Sequence, residues 1–428
     1  MQNKPVPTVV IVLATISLLI WLYLALARGI FWRLRSFDDD QAEHLSPAVG
    51  PPIVAIVPAR NEAQTIGQTI AALLQQDYQG QFSVIVVDDH SEDATTQIAQ
   101  QTAKENAADP RVQILQSSPL PPGWTGKLWA LNEGISLACA STSSYPDLVH
   151  SNMSSLAERG TCVSSIDDAQ TTNDTNLSYF WFADADVVHA PDTLRRLVAR
   201  AEQDKLDLTS LMVLLHAKTL PERMLIPAFL FFFLKLYPPR WIANPNARTA
   251  GAAGGCVLLR REALQRIGGL QAIRSEVIDD CALARAVKRT GGPIWMGVTR
   301  ASRSLRVYNT FAEIRDMIAR TAFTQLRYST PLLIGTLAGL LLTYIAPILL
   351  VFINQTAARI LALTAWLLMS LLFLPTVRFY RLSPFWAPLL PLAAFFYAYA
   401  TWLSALRYWF NRGAQWKGRS QAPRHFSA

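Results

Sequence analysis

The chain has 428 residues, of which 51% are hydrophobic and 16% charged, and its formal net charge is +8 at pH 7. A soluble domain usually carries about a quarter of charged residues, and the shortage here falls at the N-terminus and near the C-terminus. The length leaves room for a soluble domain beside a membrane part. No basic stretch with interleaved aromatic residues occurs, so nucleic acid is excluded as the expected partner, and anionic membrane lipids explain the positive charge.

The first membrane-spanning segment is predicted at residues 9–27, which are almost entirely apolar and long enough to cross a bilayer. A cleaved signal peptide would be shorter, with a basic start and a small-residue cleavage site, whereas here Arg28, Arg33 and Arg35 follow the apolar segment. The positive-inside rule then places the N-terminus outside and the following chain in the cytoplasm. We assign residues 1–36 to an N-terminal transmembrane anchor and residues 37–52 to a polar linker.

Residues 53–310 have the pattern of an α/β catalytic domain. Short apolar runs predict buried strands at residues 53–57, 82–87, 112–115 and 206–215. Apolar residues at helical spacing predict helices at residues 63–76, 94–105, 128–140 and 191–203. This alternation predicts a mostly parallel sheet flanked by helices. A run rich in Ser, Thr, Asn and Asp, at about residues 141–178, is predicted to be a surface insertion.

The four cysteines contain no C-x-x-C pair, which disfavours a disulfide framework or a zinc site. They are Cys139, Cys162, Cys256 and Cys281. We expect them to be reduced residues of a cytosolic domain.

The C-terminal part combines an interfacial helix with apolar segments. Residues 311–330 are predicted to form an amphipathic helix along the membrane surface, and residues 331–408 to form transmembrane helices from three apolar segments, at 332–353, 360–377 and 385–406. If all three cross, the basic tail at residues 409–428 lies outside, whereas its charge favours the inside. Either one segment is re-entrant or the charge rule fails here. Residues 225–236 are too short to span, and they fit an interfacial helix or a buried core helix equally well.

The first motif, Pro58 to Glu62, lies between a predicted strand and its helix. A nucleotide can use the crevice at a strand end, the helix N-terminus and the Glu62 carboxylate. An ordinary strand-to-helix turn with Asn61 as the helix cap explains the same residues.

Two further motifs follow predicted strands or precede helices. Asp88 and Asp89 close the second strand, where carboxylates can accept hydrogen bonds from a ribose hydroxyl or a uracil N–H. Helix capping by Ser91 and Asp93, with acids favoured near the positive helix end, also accounts for this stretch, and the two roles are compatible. Lys127 follows Gly126 at a predicted helix start and could neutralise a diphosphate. The glycine spacing of a P-loop or of a dinucleotide fold is missing.

Asp184-Ala185-Asp186 ends an apolar, aromatic run that begins at Tyr179 and predicts a buried strand. On an extended backbone the two aspartates point to one face. Two unpaired acids there would repel each other, and a shared cation would explain them. Taken alone, however, this common triplet favours an ordinary strand exit with two solvated aspartates.

The last motifs are a stretch of small residues at 251–261 and an acidic pair. Small residues let a backbone approach a ligand closely. Asp279 and Asp280 begin a predicted helix, where one of them could act as a general base or where both could simply favour the helix N-terminus.

In this order the motifs resemble those of membrane-bound family 2 glycosyltransferases with the GT-A fold, from about residue 53 to residue 328. The chain is most similar to the hopene-associated glycosyltransferases of bacterial hopanoid gene clusters. Three stretches carry that closer similarity: PGWTGKLWALNE at 122–133, FADADV at 182–187 and FTQLRYS at 323–329. The resemblance implies a GT-A type mixed, mostly parallel sheet flanked by helices, with transmembrane helices at both ends.

The resemblance also implies roles for single residues. Asp88 or Asp89 would hold the uridine, Pro58 and Glu62 would line its pocket, and Lys127 would contact the diphosphate. Asp184 and Asp186 would serve the ribose and a divalent ion, Mg²⁺ or Mn²⁺, with Asp186 as the expected metal ligand. Asp280 would be the catalytic base, with Asp279 as a competitor because the family usually has Thr-Glu-Asp where this chain has Ile278-Asp279-Asp280.

The implied activity is inverting hexosyl transfer from a nucleotide sugar, with UDP expected, to a lipid acceptor such as a hopanoid. The enzyme would be a multi-pass protein of the bacterial inner membrane with a cytoplasmic catalytic domain. A processive polysaccharide synthase is an alternative, but Gln325-Leu-Arg-Tyr328 departs from the Gln-x-x-Arg-Trp motif of such enzymes. A non-catalytic nucleotide-sugar-binding membrane scaffold is another, although Asp184, Asp186 and Asp280 are intact.

Overall fold

The computed structural model describes residues 6–39, 50–105, 111–141, 177–410, 415–416 and 419–420. Most of the predicted linker, insertion and basic tail, together with Cys162, lies outside these described residues. The chain divides into two compact units. The sheet unit comprises Ser36–Leu214, Ile242–Arg306 and Trp416–Ala428, and the helical unit comprises Met1–Arg35, Leu215–Trp241 and Val307–Gln415.

One eight-stranded sheet forms the centre of the sheet unit in its described part. Its strands are β1 (Ile53–Ala59), β2 (Phe82–Asp88), β3 (Val112–Gln116), β4 (Tyr179–Ala183), β5 (Val187–Val188), β6 (Leu208–Leu214), β7 (Cys256–Arg260) and β8 (Ile294–Ser304). Their order across the sheet is β3-β2-β1-β4-β7-β6-β8-β5. Four neighbouring pairs are parallel and three antiparallel, which confirms the predicted mixed, mostly parallel sheet. Two short strands, β9 (Gln415–Trp416) and β10 (Arg419–Ser420), pair separately.

Helices account for most of the remaining described residues. They are α1 (Val6–Leu26), α2 (Ile66–Leu74), α3 (Thr95–Glu105), α4 (Gly126–Ser141), α5 (Thr193–Gln203), α6 (Leu220–Leu236), α7 (Pro239–Ala243), α8 (Arg261–Arg266), α9 (Asp279–Arg289), α10 (Phe311–Gln325), α11 (Thr330–Leu340), α12 (Ala346–Val351), α13 (Thr356–Phe379) and α14 (Leu390–Trp409). A π-helical segment, Leu341–Ile345, joins α11 to α12. Short 3₁₀ turns lie at Phe37–Asp39, Leu270–Ile273 and Pro384–Leu389.

The strand directions bring the acidic motifs to one edge of the sheet. β2, β1 and β4 are adjacent and parallel, and β1 and β4 are buried along their whole length. Strands buried on both faces are continuous apolar runs, which is why the sequence signals them clearly. Because β7 is antiparallel to β4, with Cys256 opposite Ala183, the small residues that precede β7 arrive at the carboxyl end of β4.

The helical unit contains the membrane-length segments. Four helical segments of the described residues are long and apolar enough to cross a membrane: Thr8–Leu26, Thr330–Val351, Thr356–Phe379 and Pro384–Trp409. They coincide with the predicted anchor and the three predicted C-terminal helices. α6 is packed inside this unit. The ring centres of Phe231 and Phe373 lie 5.2 Å apart, and those of Phe232 and Tyr397 lie 4.9 Å apart. Of the two interpretations of residues 225–236, the structure favours the buried core helix.

Strand β8 has no counterpart in the prediction. Its second half, from Val298 to Ser304, buries serines at positions 302 and 304 while Arg303 is exposed. The alternation of inward and outward side chains is present, but small hydroxyl residues take the inward positions. A search for apolar periodicity therefore misses the strand.

Candidate active site

A cavity at the carboxyl edge of the sheet is lined by five of the predicted site residues. They are Pro58, Lys127, Asp184, Asp279 and Asp280. Pro58 belongs to the end of β1, Asp184 follows β4, and the acidic pair begins α9. Lys127 lies in the first turn of α4, so this helix begins two residues earlier than predicted. The assigned roles of these residues stay predictions, but the fold brings them together.

Lys127 links the two acidic motifs of the cavity. Its Nζ lies 2.9 Å from Asp184 Oδ1 and 3.3 Å from Asp279 Oδ2, and only 18% of its side chain is exposed. Burial alone would lower the pKa of this amine, yet the carboxylates of Asp184 and Asp279 raise the pKa above its ordinary value. Lys127 therefore stays protonated, and its charge is paired with the carboxylates of Asp184 and Asp279.

Asp280 is held by two backbone donors. The N–H of Gly254 donates to its Oδ2 at 2.9 Å, and the N–H of Cys281 donates to its Oδ1 at 2.6 Å. Burial raises the pKa of Asp280 to about 6, the neighbouring Asp279 adds to that rise, and Lys127 opposes it. A carboxylate with a pKa near neutrality is suited to accept a proton from a substrate at physiological pH.

Gly254 lies so close to the acidic groups that a side chain would press on them. A Cβ at this position would lie 3.1 Å from Lys127 Nζ and 3.4 Å from Asp280 Oδ2. Close approach of a backbone is one use of glycine. The sequence predicted that the stretch at 251–261 brings its backbone close to a ligand, and the structure shows that this backbone contacts Asp280.

The backbone from Asp184 to Asp186 is a turn, which corrects the expectation of an extended segment with both side chains on one face. The N–H of Val187 donates to the carbonyl of Asp184 at 3.2 Å, and Thr69 Oγ1 donates to the carbonyl of Ala185 at 2.9 Å. The chain turns here because β5 pairs with β8 at the sheet edge and not beside β4. As a result Asp184 and Asp186 have different cationic partners.

Asp186 and Glu62 share the guanidinium of Arg306. Arg306 Nε lies 2.9 Å from Asp186 Oδ2, and Arg306 Nη2 lies 2.7 Å from Glu62 Oε1. Ser304 Oγ also donates to Asp186 Oδ2, at 3.4 Å. The repulsion expected between unpaired acids is thus relieved by cations of the protein itself.

Asp88 and Asp89 bind the segments that follow their strand. Asp88 is buried and accepts hydrogen bonds from the hydroxyl of Ser91 and, at 3.0 Å, from Thr96 Oγ1 of α3. Asp89 is fully buried, and Ser117 Oγ donates to its Oδ1 at 3.3 Å. These contacts fit the structural interpretation of the pair and leave the uridine role as a prediction.

The turn after β1 differs from the predicted helix cap. Asn61 adopts a left-handed backbone, with φ of 51°, and its Oδ1 accepts the N–H of Glu92 at 2.8 Å. It therefore joins two loops and does not cap α2, which begins only at Ile66. The adjacent Arg60, which the sequence did not single out, donates to the carbonyls of Asp89 and His90 and is buried.

Arg306 is the main site residue that sequence reasoning missed. It follows β8, the strand that was not predicted, and its partners lie far away in sequence. Recognition of Ser302 and Ser304 as inward residues would have predicted a strand that ends beside Arg306.

The chemistry of the acidic residues suits a hard divalent ion. Carboxylate oxygens are preferred ligands of Mg²⁺, which is usually bound by one or two carboxylates together with substrate phosphates. Within the described residues no group of three or more His, Cys, Asp or Glu side chains could hold a metal alone. An ion bound by Asp184 or Asp186 would therefore need further ligands, which a diphosphate could supply.

Solved structures with similar backbones include several glycosyltransferases. The mannosyltransferase PcManGT from Pyrobaculum calidifontis, in complex with GDP-Man and Mn²⁺, is 16% identical, with a TM-score of 0.48 over 92% of this chain and 99% of that chain. S. aureus TarS is 17% identical, with a TM-score of 0.37 over 64% and 40%. Glucosyl-3-phosphoglycerate synthase from Mycobacterium tuberculosis, with Mn²⁺, UDP-Glc and phosphoglyceric acid, is 15% identical, with a TM-score of 0.35 over 65% and 80%.

The family comparison covers most of the chain. No match was found among curated proteins. A model of the glycosyltransferase-like family 2 matches residues 51–324, well over half of the sequence, from just before β1 to the end of α10. The chain therefore belongs to glycosyltransferase-like family 2, as the order of its motifs predicts, and it is a glycosyltransferase with a GT-A type fold.

Proposed function

We propose that this glycosyltransferase moves a sugar, with inversion, from a UDP-sugar to the hydroxyl of a lipid at the cytoplasmic face of the bacterial inner membrane. The observation that carries the proposal is the position of Asp280, which lines one cavity with Lys127 and Asp184 at the carboxyl edge of the sheet. In α/β sheets this edge is where ligands bind. The four membrane-length helices support a lipid acceptor, and the similarity of the stretches at 122–133, 182–187 and 323–329 supports a hopanoid.

Asp280 is proposed as the catalytic base. It accepts the proton of the acceptor hydroxyl while the acceptor oxygen bonds to the anomeric carbon. The bond from that carbon to the diphosphate breaks, and its electron pair leaves with the diphosphate. The N–H groups of Gly254 and Cys281 hold the carboxylate in one orientation, and such positioned proton transfer contributes roughly 10²–10⁴-fold to the rate.

The donor is proposed to bind across the carboxyl ends of β1, β2 and β4. Asp88 or Asp89 holds the uridine in this proposal, and Pro58 and Glu62 line its pocket. Lys127 supplies positive charge for the diphosphate, which then competes with Asp184 and Asp279 for the amine. Mg²⁺ or Mn²⁺ bound by Asp186, with Asp184, would neutralise the charge that develops on the leaving diphosphate.

A transfer assay with paired variants tests the proposal. Membranes that contain the full-length enzyme are incubated with a panel of UDP-sugars and a hopanoid acceptor, and glycosylated lipid is measured by mass spectrometry. We expect single-sugar products, and we expect Asp280→Asn to lower the transfer rate by about 10²–10⁴-fold while UDP-sugar binding is retained. Asp279→Asn is the matched control and should cost less.

Three outcomes would contradict the proposal. Asp280→Asn with a near wild-type rate would exclude the assignment of the base. Long products on a defined lipid would indicate a processive synthase. Neither transfer nor hydrolysis of any nucleotide sugar by correctly folded protein would favour a binding scaffold.

A further inference from the structure

The guanidinium of Arg306 joins two carboxylates that come from distant parts of the sheet unit. One of its nitrogens contacts Asp186, which follows β4, and another contacts Glu62, which follows β1, at 2.9 and 2.7 Å. The Asp186 and Glu62 side chains are only 15% and 13% exposed. Two carboxylates that are largely shielded from water and share one cation stay ionised only if that cation, or another in its place, balances their charge.

The sheet fixes the backbone of Arg306 beside Asp186. Val187 of β5 is opposite Ser304 of β8, and the N–H of Leu305 donates to the carbonyl of Asp186 at 2.7 Å. The side chain of Arg306 is 36% exposed, so it can leave this contact toward solvent while its backbone stays in place. The backbone of Arg306 is thus held beside Asp186, while its guanidinium can be displaced into solvent.

We propose that Arg306 takes the place of the divalent cation at Asp186 when no donor is bound, so that the metal can bind only when this guanidinium leaves. The inference rests on the proposed role of Asp186 as a metal ligand. A divalent ion on either oxygen of Asp186 would lie within a few ångströms of the guanidinium, where like charges repel strongly in a partly buried site. The two cations therefore exclude each other.

This exclusion makes metal binding depend on the donor. A diphosphate supplies additional oxygen ligands to the ion, and its negative charge also attracts the displaced guanidinium. Without the diphosphate, metal binding breaks the two charge-assisted hydrogen bonds of Arg306 to Asp186 and Glu62. The ion then gains few protein ligands to offset that loss. We expect the wild-type enzyme to bind Mn²⁺ weakly alone and more tightly together with UDP.

The experiment measures Mn²⁺ affinity directly, without turnover. Purified full-length protein in detergent, free of nucleotide, is titrated with Mn²⁺, and free Mn²⁺ is followed by its electron paramagnetic resonance signal. We expect Arg306→Gln to bind Mn²⁺ about 10-fold more tightly than wild type, a change equivalent to about 1.4 kcal/mol. Arg306→Lys, which keeps the charge but loses the planar fork, should fall between the two.

Two controls separate local competition from general electrostatics. Arg303→Gln removes the same charge from an exposed position three residues earlier, on β8, and should leave the affinity within about twofold of wild type, because exposed charges are screened. Asp186→Asn added to Arg306→Gln should abolish the tighter site. Thermal melting verifies that each variant is folded.

The inference is overturned if folded Arg306→Gln binds Mn²⁺ no more tightly than wild type, if Arg303→Gln gives the same gain, or if the gain persists without Asp186. The proposed function is judged separately by the transfer assay. A wild-type enzyme that transfers sugar while Arg306→Gln shows no gain would overturn only the role of Arg306. A clear gain in an enzyme that transfers no sugar would overturn only the proposed function.

Discussion

At the residue scale, the cavity places three carboxylates around one amine. Lys127 pairs directly with Asp184 and Asp279, and its charge also acts on Asp280. The proposed base therefore feels two opposing influences: burial and Asp279 raise its pKa and Lys127 lowers it, which leaves the pKa at about 6. The protonation of Asp280 therefore depends on the charge of Lys127, which acts through space.

The pH profile of the enzyme should show this dependence. Asp280 must be deprotonated to accept a proton, so kcat/KM should rise with pH through about 6 and then level off. Lys127→Met removes an opposing charge and should move this limb upward by roughly one pH unit, whereas Lys127→Arg should leave it near its wild-type position. The measurement is kcat/KM from pH 5 to pH 9 with a fixed donor and acceptor.

The exposed Lys104 of α3 provides the control. Lys104→Met removes a positive charge away from the cavity and should not move the limb. A Lys127→Met enzyme that loses activity equally at every pH would contradict the electrostatic coupling and indicate a role in binding alone.

At the element scale, the predictable features are those set by local sequence. β1, β2 and β4 are apolar runs, and Asp279 and Asp280 begin a helix as expected. The turn at Ala185 and the pairing of Arg306 with Asp186 were not predictable, because both depend on the strand order β8-β5 at the sheet edge. Periodicity reports burial along one segment and contains no information on which segments become neighbours.

The start of α6 offers a second test at this scale. Thr219 and Glu222 form a capping box, and the fully buried Glu222 also accepts the N–H of Lys218 at 2.9 Å and of Tyr308 at 2.7 Å. A glutamine here would replace one accepting oxygen with an NH₂ group, which would face a backbone N–H and could not accept its hydrogen bond. Glu222→Gln should therefore destabilise the fold by about 2–3 kcal/mol. The measurement is the temperature at which half of the purified full-length chain has aggregated, which should be lower than for the wild type.

The start of α10 provides a matched control within the same helical unit. Glu313 accepts the N–H of Asn309 at 2.9 Å and follows Thr310 in the same spacing, but it is exposed to water. Glu313→Gln should cost less than about 1 kcal/mol. Equal shifts for the two variants would mean that burial of Glu222 does not strengthen its cap.

At the scale of the whole molecule, the open question is the membrane topology. Four helical segments are long and apolar enough to cross a membrane, and an even number of crossings places both ends of the chain on the same side. By the positive-inside rule, the arginines that follow α1 predict that residues 37–310 lie in the cytoplasm and the N-terminus outside. The C-terminal tail would then also lie outside, against the preference of its own basic residues.

Two single cysteines in the loops between the C-terminal segments would decide this conflict. Asn354 lies between Thr330–Val351 and Thr356–Phe379, Ser383 lies just before Pro384–Trp409, and both are exposed. If all four segments cross, a membrane-impermeant maleimide should label Asn354→Cys in intact cells and Ser383→Cys only after lysis, with the wild-type chain as the blank for its native cysteines. The reverse pattern would contradict four crossings from a cytoplasmic catalytic domain: either Thr330–Val351 is re-entrant, which brings the basic tail inside, or the whole orientation is inverted. Labelling of both cysteines in intact cells would instead indicate that Thr356–Phe379 is re-entrant. The next crossing, at Pro384–Trp409, would then bring the basic tail inside, as its charge favours.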